Sequence, residues 1–434
     1  MSKRYGDVML LHLGNIPALI VSSERAAREI LKTNEAMFCD RPKPKRGNKL
    51  LYNCKGLGLS PYGEHWRRMK TICTLHLLGN AKVRSFSNVR EDEMSLVIQK
   101  IIQAGTRPIN LTDMFTDFAN NIICMVAFGR KYTKEEDGVN LGELLQEMTE
   151  TLAAFNVGDF VPQLAWMNRF NGWNAKTDGI STKLDGFIEM VVQQHRDHVR
   201  EDETPVNNFV DALLEIHNDH HARFQVDTEC VKALILDMFI GATESTSALL
   251  EWAMAELLKN PKVMQEVQKE VREITRDRSE VKEEELEQMK YLKSVIKETL
   301  RLHPPTPLLI PRQSTQDARV DGYDIPAGTA CFFNVWAMHR DPAFWDQPDK
   351  FNPERFLSSG IEFRGHDFQF IPFGAGRRMC PGIGFSMASI EFLLANIINK
   401  FDWLIPEGEA LDMSECFRIT LHKSTPLLAV AAPH

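Results

Sequence analysis

The sequence contains no Cys-x-x-Cys pair. Its eight cysteines, Cys39, Cys54, Cys73, Cys124, Cys230, Cys331, Cys380 and Cys416, are scattered over 434 residues. That scatter argues against a disulfide framework and a structural zinc site, and fits a reducing compartment. No uninterrupted apolar run reaches bilayer length; the densest, residues 231–242, is broken by Asp237. No signal peptide is visible, because Met1-Ser2-Lys3-Arg4-Tyr5-Gly6 runs straight into strand-like sequence. No Gly-x-Gly-x-x-Gly follows a strand, so nothing suggests a built-in nicotinamide or flavin domain, and any electrons must come from another protein. Positive charge is not in excess: the formal net charge is −8, which disfavours nucleic acid as a partner. Repeats and low-complexity linkers are missing too. From these residues alone the expectation is a soluble chain.

What is present is ample core material: 43% hydrophobic residues, with 25 Phe and 18 Met. Residues 8–22 predict two strands joined at Gly14-Asn15. Helical periodicity dominates from about Ser23 to His303. A strand-rich stretch covers Leu308 to Ile310, Arg319 to Ile325 and Thr329 to Val335, and the tail from Leu411 to Pro433 also reads as short strands. Strands at both ends with helices between predict one interleaved α+β unit, mainly α with a small β region, over residues 1–434. The segment Val267 to Glu287 reads as a solvated helix face. His217, His220 and His221 could face one another on a helix and bind metal, but their polar surroundings predict solvated loop histidines.

Chemistry concentrates in Phe373-Gly374-Ala375-Gly376-Arg377-Arg378-Met379-Cys380-Pro381-Gly382, ahead of an apolar helix from Ile383 to Lys400. A thiolate at Cys380 would be stabilised by the helix N-terminus and by backbone N–H groups. Gly376 and Gly382 leave room for a flat, bulky group, and Arg378 could reach an anionic substituent on it. Cysteine thiolate is a known axial ligand of haem iron. The pattern Phe-x-x-Gly-x-Arg-x-Cys-x-Gly, filled by Phe373, Gly376, Arg378, Cys380 and Gly382, resembles the haem-ligand loop of the cytochrome P-450 superfamily.

Further segments carry the same resemblance. A long helix is predicted from Thr228 to Lys259, with Asp227 or Thr228 as N-cap and Asn260-Pro261 as stop; it would run about 45–50 Å. Its middle is apolar all round and therefore buried. Into it the sequence inserts Gly241-Ala242-Thr243-Glu244-Ser245-Thr246-Ser247, similar to the family's oxygen-activation motif. The resemblance gives Glu244 the acid position and Ser245 the alcohol position, with Thr246 beside it, to relay protons for O–O scission. Ala242 replaces the family's usual second glycine and Ser245 its usual threonine. Glu298 and Arg301 resemble the family's Glu-x-x-Arg pair, joined by Arg355 from Phe351-Asn352-Pro353-Glu354-Arg355-Phe356 in a structural network. Trp66 and Lys70 resemble a Trp-x-x-x-Arg element that binds a haem propionate, and Arg312 a second propionate ligand.

The resemblance covers residues 5 to 433 and is greatest to plant microsomal members. It implies a helical prism with the long central helix over haem b, and Cys380 as iron ligand. The implied activity is insertion of one oxygen atom from O2 into a small hydrophobic terpenoid, phenolic or indole-type metabolite. Electrons would come from NADPH-cytochrome P-450 reductase, with cytochrome b5 as an alternative donor; Arg67, Arg68, Lys70, Lys293 and Arg377 would dock the reductase. The site would be the cytosolic face of the endoplasmic reticulum membrane, with the chain beginning just beyond the family's N-terminal anchor. Two other readings stay open: a haem-thiolate isomerase or dehydratase needing no external electrons, and a non-catalytic haem-binding sensor.

Overall fold

The computed structural model describes residues 2–44, 47–132, 138, 141–201, 208–219, 226–276 and 278–434. Its strands begin with β1 (Val8–Leu13), β2 (Ile16–Val21), β3 (Ile109–Asn110), β4 (Arg312–Gln313), β5 (Ala318–Val320) and β6 (Tyr323–Ile325). They continue with β7 (Ala330–Phe333), β8 (Phe401–Leu404), β9 (Glu415–Phe417), β10 (Leu421–Lys423) and β11 (Leu428–Pro433). β1 and β2 form the expected hairpin, with Leu13 opposite Ile16. The first sheet runs β1-β2-β7-β4, with β2 and β7 parallel. The tail supplies the β9–β10 pair and β11, which lies between β3 and β8.

Two strand expectations change. Leu308 to Ile310 is not a strand, because Leu309 takes a left-handed backbone (φ 51°). The chain there still hydrogen-bonds toward β7, Phe333 N donating to Leu308 O at 3.1 Å, but regular pairing starts at Arg312. Val335 opens a short helix, Val335–Met338, whose first turn is capped by the Asn334 side chain. The segment from Val267 is only partly solvated: on helix Pro261–Thr275, Val267, Gln268, Val271 and Thr275 are buried. His217 sits in the last turn of helix Phe209–Asn218, its Nδ1 2.6 Å from Val226 O, whereas His220 and His221 lie outside the described residues.

Helix Thr228–Lys259 has the predicted bounds, and the Asp227 carboxylate caps it by accepting Cys230 N at 2.7 Å. Taken as a whole helix, rather than as an unbroken apolar run, it is long and apolar enough to cross a bilayer. Yet 67% of its most apolar window is buried inside the protein, so it serves as the central core helix. It packs along helix Leu111–Phe128 and against helices Lys290–Leu302 and Ile383–Lys400. The start of the Cys380 run lies on the seam between two cores. Phe370 and Phe385 belong to the large helical core; Phe368, Ile371 and Ala375 belong to a smaller one built on β2 and β7.

Candidate active site

The cysteine loop folds back on itself: Cys380 N donates to Phe373 O at 2.9 Å, and the Phe373 ring meets Phe363 edge-on at 5.3 Å. Burial pushes the Cys380 thiol up, and the backbone N–H of Gly382 offsets only part of that, so the helix terminus alone does not make a thiolate. A bound metal cation would reverse that balance. A Cβ on Gly382 would meet only Cys380 Sγ, at 3.8 Å. Gly376 plays a different part from the expected one. Its φ is 68°, and a Cβ there would run into the Glu35 carboxylate and lie 2.7 Å from Leu31 O. The missing side chain admits residues 31–35, not a planar cofactor.

Three arginines converge beside this loop. Arg378 donates Nε to Cys39 O at 2.8 Å and Nη2 to Ser60 O at 2.6 Å. Arg312 donates Nη2 to Ala375 O at 2.6 Å, and Arg41 donates Nη1 to Ile310 O and Pro311 O. All three are buried, and Arg41 Nε, Arg312 Nη1 and Arg378 Nη1 have no hydrogen-bond partner. Burial and then mutual repulsion hold Arg41 well below the ordinary guanidinium value; burial brings Arg312 and Arg378 down to about 10. Arg41 was not singled out by the sequence; only its place after Cys39-Asp40 and before Pro42 marks it. Trp66 stacks under the Arg378 guanidinium (4.4 Å), but its indole N–H, expected at a propionate, donates to Leu57 O at 3.1 Å. Lys70 Nζ donates to Arg377 O at 3.1 Å, over the Trp66 ring.

Unpartnered buried guanidinium nitrogens are costly, and they fit an anionic ligand such as a group carrying carboxylates. The two propionates of haem b have that chemistry. Of the basic residues expected to face a reductase, Arg68 pairs with Glu64, Arg377 with Glu35 and Lys293 with Glu391 at 3.9 Å.

Glu298 gathers the expected network. It accepts Arg301 Nε at 2.7 Å and Nη2 at 2.8 Å, Arg355 Nε at 3.1 Å and Asn352 N at 2.8 Å. Arg301 goes on to His339 O and Pro348 O. Buried His339, held down to about 3 by desolvation, stays neutral and accepts Ile371 N at 3.1 Å. The network therefore reaches Ile371, two residues ahead of the cysteine run, through His339.

On the central helix Gly241 is exposed and Ala242 and Ser245 are half-buried, although the turns on either side are buried. A Cβ on Gly241 would meet nothing within 4 Å. The helix thus opens onto a space on one face. Ser245 Oγ donates to Gly241 O at 2.7 Å. Thr246, expected to share the relay, turns away by helical geometry: it is buried, and its Oγ1 lies 2.9 Å from Ser386 Oγ on the helix after Cys380. Glu244 points to the β9–β10 hairpin, with its Oε2 3.1 Å from His422 Nε2 and 3.3 Å from Thr420 Oγ1. Sequence reasoning did not single out His422.

A helix-rich fold that presents one cysteine beside a cradle for carboxylates, with an opened helix nearby, defines a haem-thiolate protein. The chain belongs to the cytochrome P450 family, whose profile matches residues 1–430. It is 49% identical to cytochrome P450 736A117 of Prunus mume over 442 aligned positions, covering 100% of this chain and 85% of that protein. It is 44% identical to (+)-menthofuran synthase of Mentha piperita (100% and 88% covered) and 42% identical to phenylacetaldehyde oxime monooxygenase CYP71AN24 of Prunus mume (100% and 84%). A zebra fish cytochrome P450 solved with progesterone superposes with a TM-score of 0.85 at 23% identity, covering 100% of this chain and 97% of that one, which supports the fold. The chain is a plant A-type cytochrome P450 monooxygenase, with haem b as cofactor, O2 as oxidant and a redox partner as electron source.

Proposed function

We propose that residues 1–434 act as one catalytic domain that inserts an oxygen atom from O2 into a small hydrophobic specialised metabolite of terpenoid, phenolic or indole type. Electrons come from NADPH through a separate cytochrome P-450 reductase at the cytosolic face of the endoplasmic reticulum. The observation that carries this reading is the opening of a buried helix at Gly241, Ala242 and Ser245, tied through Thr246 and Ser386 to the helix that follows Cys380. Two relatives point the same way, one named for menthofuran and one for phenylacetaldehyde oxime. Both are small, largely apolar molecules.

Arg41, Arg312 and Arg378 hold the propionates of the haem, and Cys380 Sγ is its iron ligand. The bound haem supplies the activation of dioxygen. Ser245 holds and moves protons at its hydroxyl oxygen on the open face, and Glu244 at a carboxylate oxygen turned toward the β9–β10 hairpin. Glu298, Arg301 and Arg355 keep the cysteine loop in place. A screen of small apolar metabolites for a spin-state shift on the haem-loaded protein, followed by NADPH oxidation with reductase and product analysis, tests the reading. An oxygenated product coupled to NADPH use is expected. Retention of a thiolate-type spectrum of the reduced carbonyl complex in Cys380→Ala would overturn it.

A further inference from the structure

Glu244 is not a free carboxylate. Its Oε2 faces His422 Nε2 and Thr420 Oγ1, and those two groups are themselves 2.7 Å apart. On the far side of the same ring, His422 Nδ1 lies 3.7 Å from Glu251 Oε2. Glu244 and Glu251 are seven residues apart on the central helix, two turns along one face. One imidazole on β10 therefore bridges two carboxylates of one helix. Glu251 is 2% exposed and also accepts Thr112 Oγ1 at 2.5 Å and Lys423 N at 3.4 Å. The other charges facing the cluster are the Arg418 guanidinium, toward Glu244, and the Lys423 ammonium, toward Glu251.

Two carboxylates withdrawn from water repel unless a cation lies between them, and among the described residues His422 is the one placed between this pair. Burial works against charging His422, but the hydrogen bonds and charges of Glu244 and Glu251 outweigh it and push the imidazole up to about 9. Burial likewise works to raise Glu244, but the His422 hydrogen bond and charge, followed by Thr420, leave it below its ordinary value.

We propose that His422 is a positioning residue for proton delivery: its imidazolium, clamped between Glu244 and Glu251, keeps the Glu244 carboxylate ionised and aimed at the hairpin. The inference rests on the reading of Glu244 and Ser245 as the proton relay. Glu244 then takes up and passes on each proton from a fixed place and returns to an ionised resting state, one turn from the open face at Gly241. Without His422 the carboxylate would take up a proton more readily and lose its anchor.

The test uses the full haem-loaded chain with reductase, in four forms: parent, Glu244→Gln, His422→Gln and His422→Lys. Hydrogen peroxide released per NADPH oxidised is measured without added substrate, from below the ordinary histidine value to above about 9. Thermal midpoints are recorded over the same range as a readout independent of turnover. The parent's His422 is raised in the folded state. The stability it contributes is therefore complete below its unfolded value of 6.5 and disappears as pH climbs through about 9.

His422→Gln should remove that fall in stability, increase the peroxide share severalfold and move the inflection of its pH profile upward. His422→Lys, which keeps a cation, should recover part of the parent profile. If His422→Gln changes only the thermal midpoints, with its peroxide profile superimposed on the parent's while Glu244→Gln departs from both, the clamp is merely structural and the inference is overturned. If Glu244→Gln also leaves the peroxide profile unchanged, the relay reading itself fails, and the inference with it.

Discussion

Replacing Arg312 by methionine should leave the haem-free form nearly unchanged and weaken the haem-bound form. In the structure Arg312 is 3% exposed; it spends one nitrogen on Ala375 O at 2.6 Å and leaves Nη1 buried without a partner. It also lies within repulsive reach of Arg41 and Arg378. Methionine has similar length and no donor. In the haem-free chain the loss of the Ala375 bond leaves a buried carbonyl oxygen without that donor and costs about 1–3 kcal/mol, while removal of the unsatisfied buried nitrogen returns about 1–3 kcal/mol. The haem-free protein should therefore stay within about 2 kcal/mol of the parent. With a carboxylate in the cradle the balance turns against methionine, because a charge-assisted hydrogen bond worth about 1.5–3 kcal/mol is lost. At about 1.4 kcal/mol per tenfold, haem affinity should fall by at least roughly tenfold. Urea unfolding of the haem-free protein and the rate of haem transfer to an excess of a haem-accepting protein measure the two arms. Equal destabilisation of both forms, or unchanged haem release, would refute the assignment of the cradle.

Gly376→Ala must hold φ at 68° and press a methyl group against Leu31 O, so it should cost at least about 2 kcal/mol of thermal or urea stability. Gly241→Ala, which meets open space, should leave stability unchanged or raise it by up to about 1 kcal/mol while weakening spin-state titrations of bulky ligands. Glu298→Gln leaves the Arg301 and Arg355 guanidinium groups facing each other without their carboxylate; about 3–5 kcal/mol should be lost, read as a shortened half-life of the haem-bound form on heating. Asp237 is raised from 3.8 to about 6, chiefly by burial, although Gly58 N donates to it at 2.8 Å. The folded state holds the extra proton between those values, so parental stability should fall by about 3 kcal/mol as pH rises through that window; Asp237→Asn should flatten the fall in pH-dependent unfolding.

What was legible in the sequence was local. The bounds of Thr228–Lys259 follow from a carboxylate cap and an Asn-Pro stop, both written within two residues of the ends. Glu298 and Arg301 meet because three residues separate them on a helix. Other features depend on which way a side chain or backbone turns. A glycine in the cysteine run does not reveal whether its missing Cβ faces a cofactor or, as at Gly376, the Glu35 carboxylate. Three apolar residues at 308–310 have strand composition, but one left-handed residue ends the pairing. Arg41 and His422 gain their meaning only from partners far along the chain: Ile310 and Pro311 for the arginine, Glu244 and Glu251 for the histidine.

Charge balance distinguishes three inward-facing clusters of ionisable residues. Around Glu298, two guanidinium groups share one carboxylate, and their remaining donors find the carbonyls of His339, Pro348, Lys350 and Asp346. Around His422, two carboxylates share one imidazole, with Thr112, Thr420 and a backbone N–H taking further oxygen lone pairs. Both clusters are closed, which suits parts that must stay still. Arg41, Arg312 and Arg378 are not closed. Among the described residues no carboxylate pairs with any of them, and each keeps one buried nitrogen unused. A native fold tolerates that arrangement when something outside the chain completes it. The sign of the missing partner is negative, and its reach must span three nitrogens delivered by three separated stretches of chain. Those two requirements describe the propionate edge of a haem better than a single small anion. They also make the cradle, more than the cysteine's own pKa, the part of the chain that prepares the site for its cofactor.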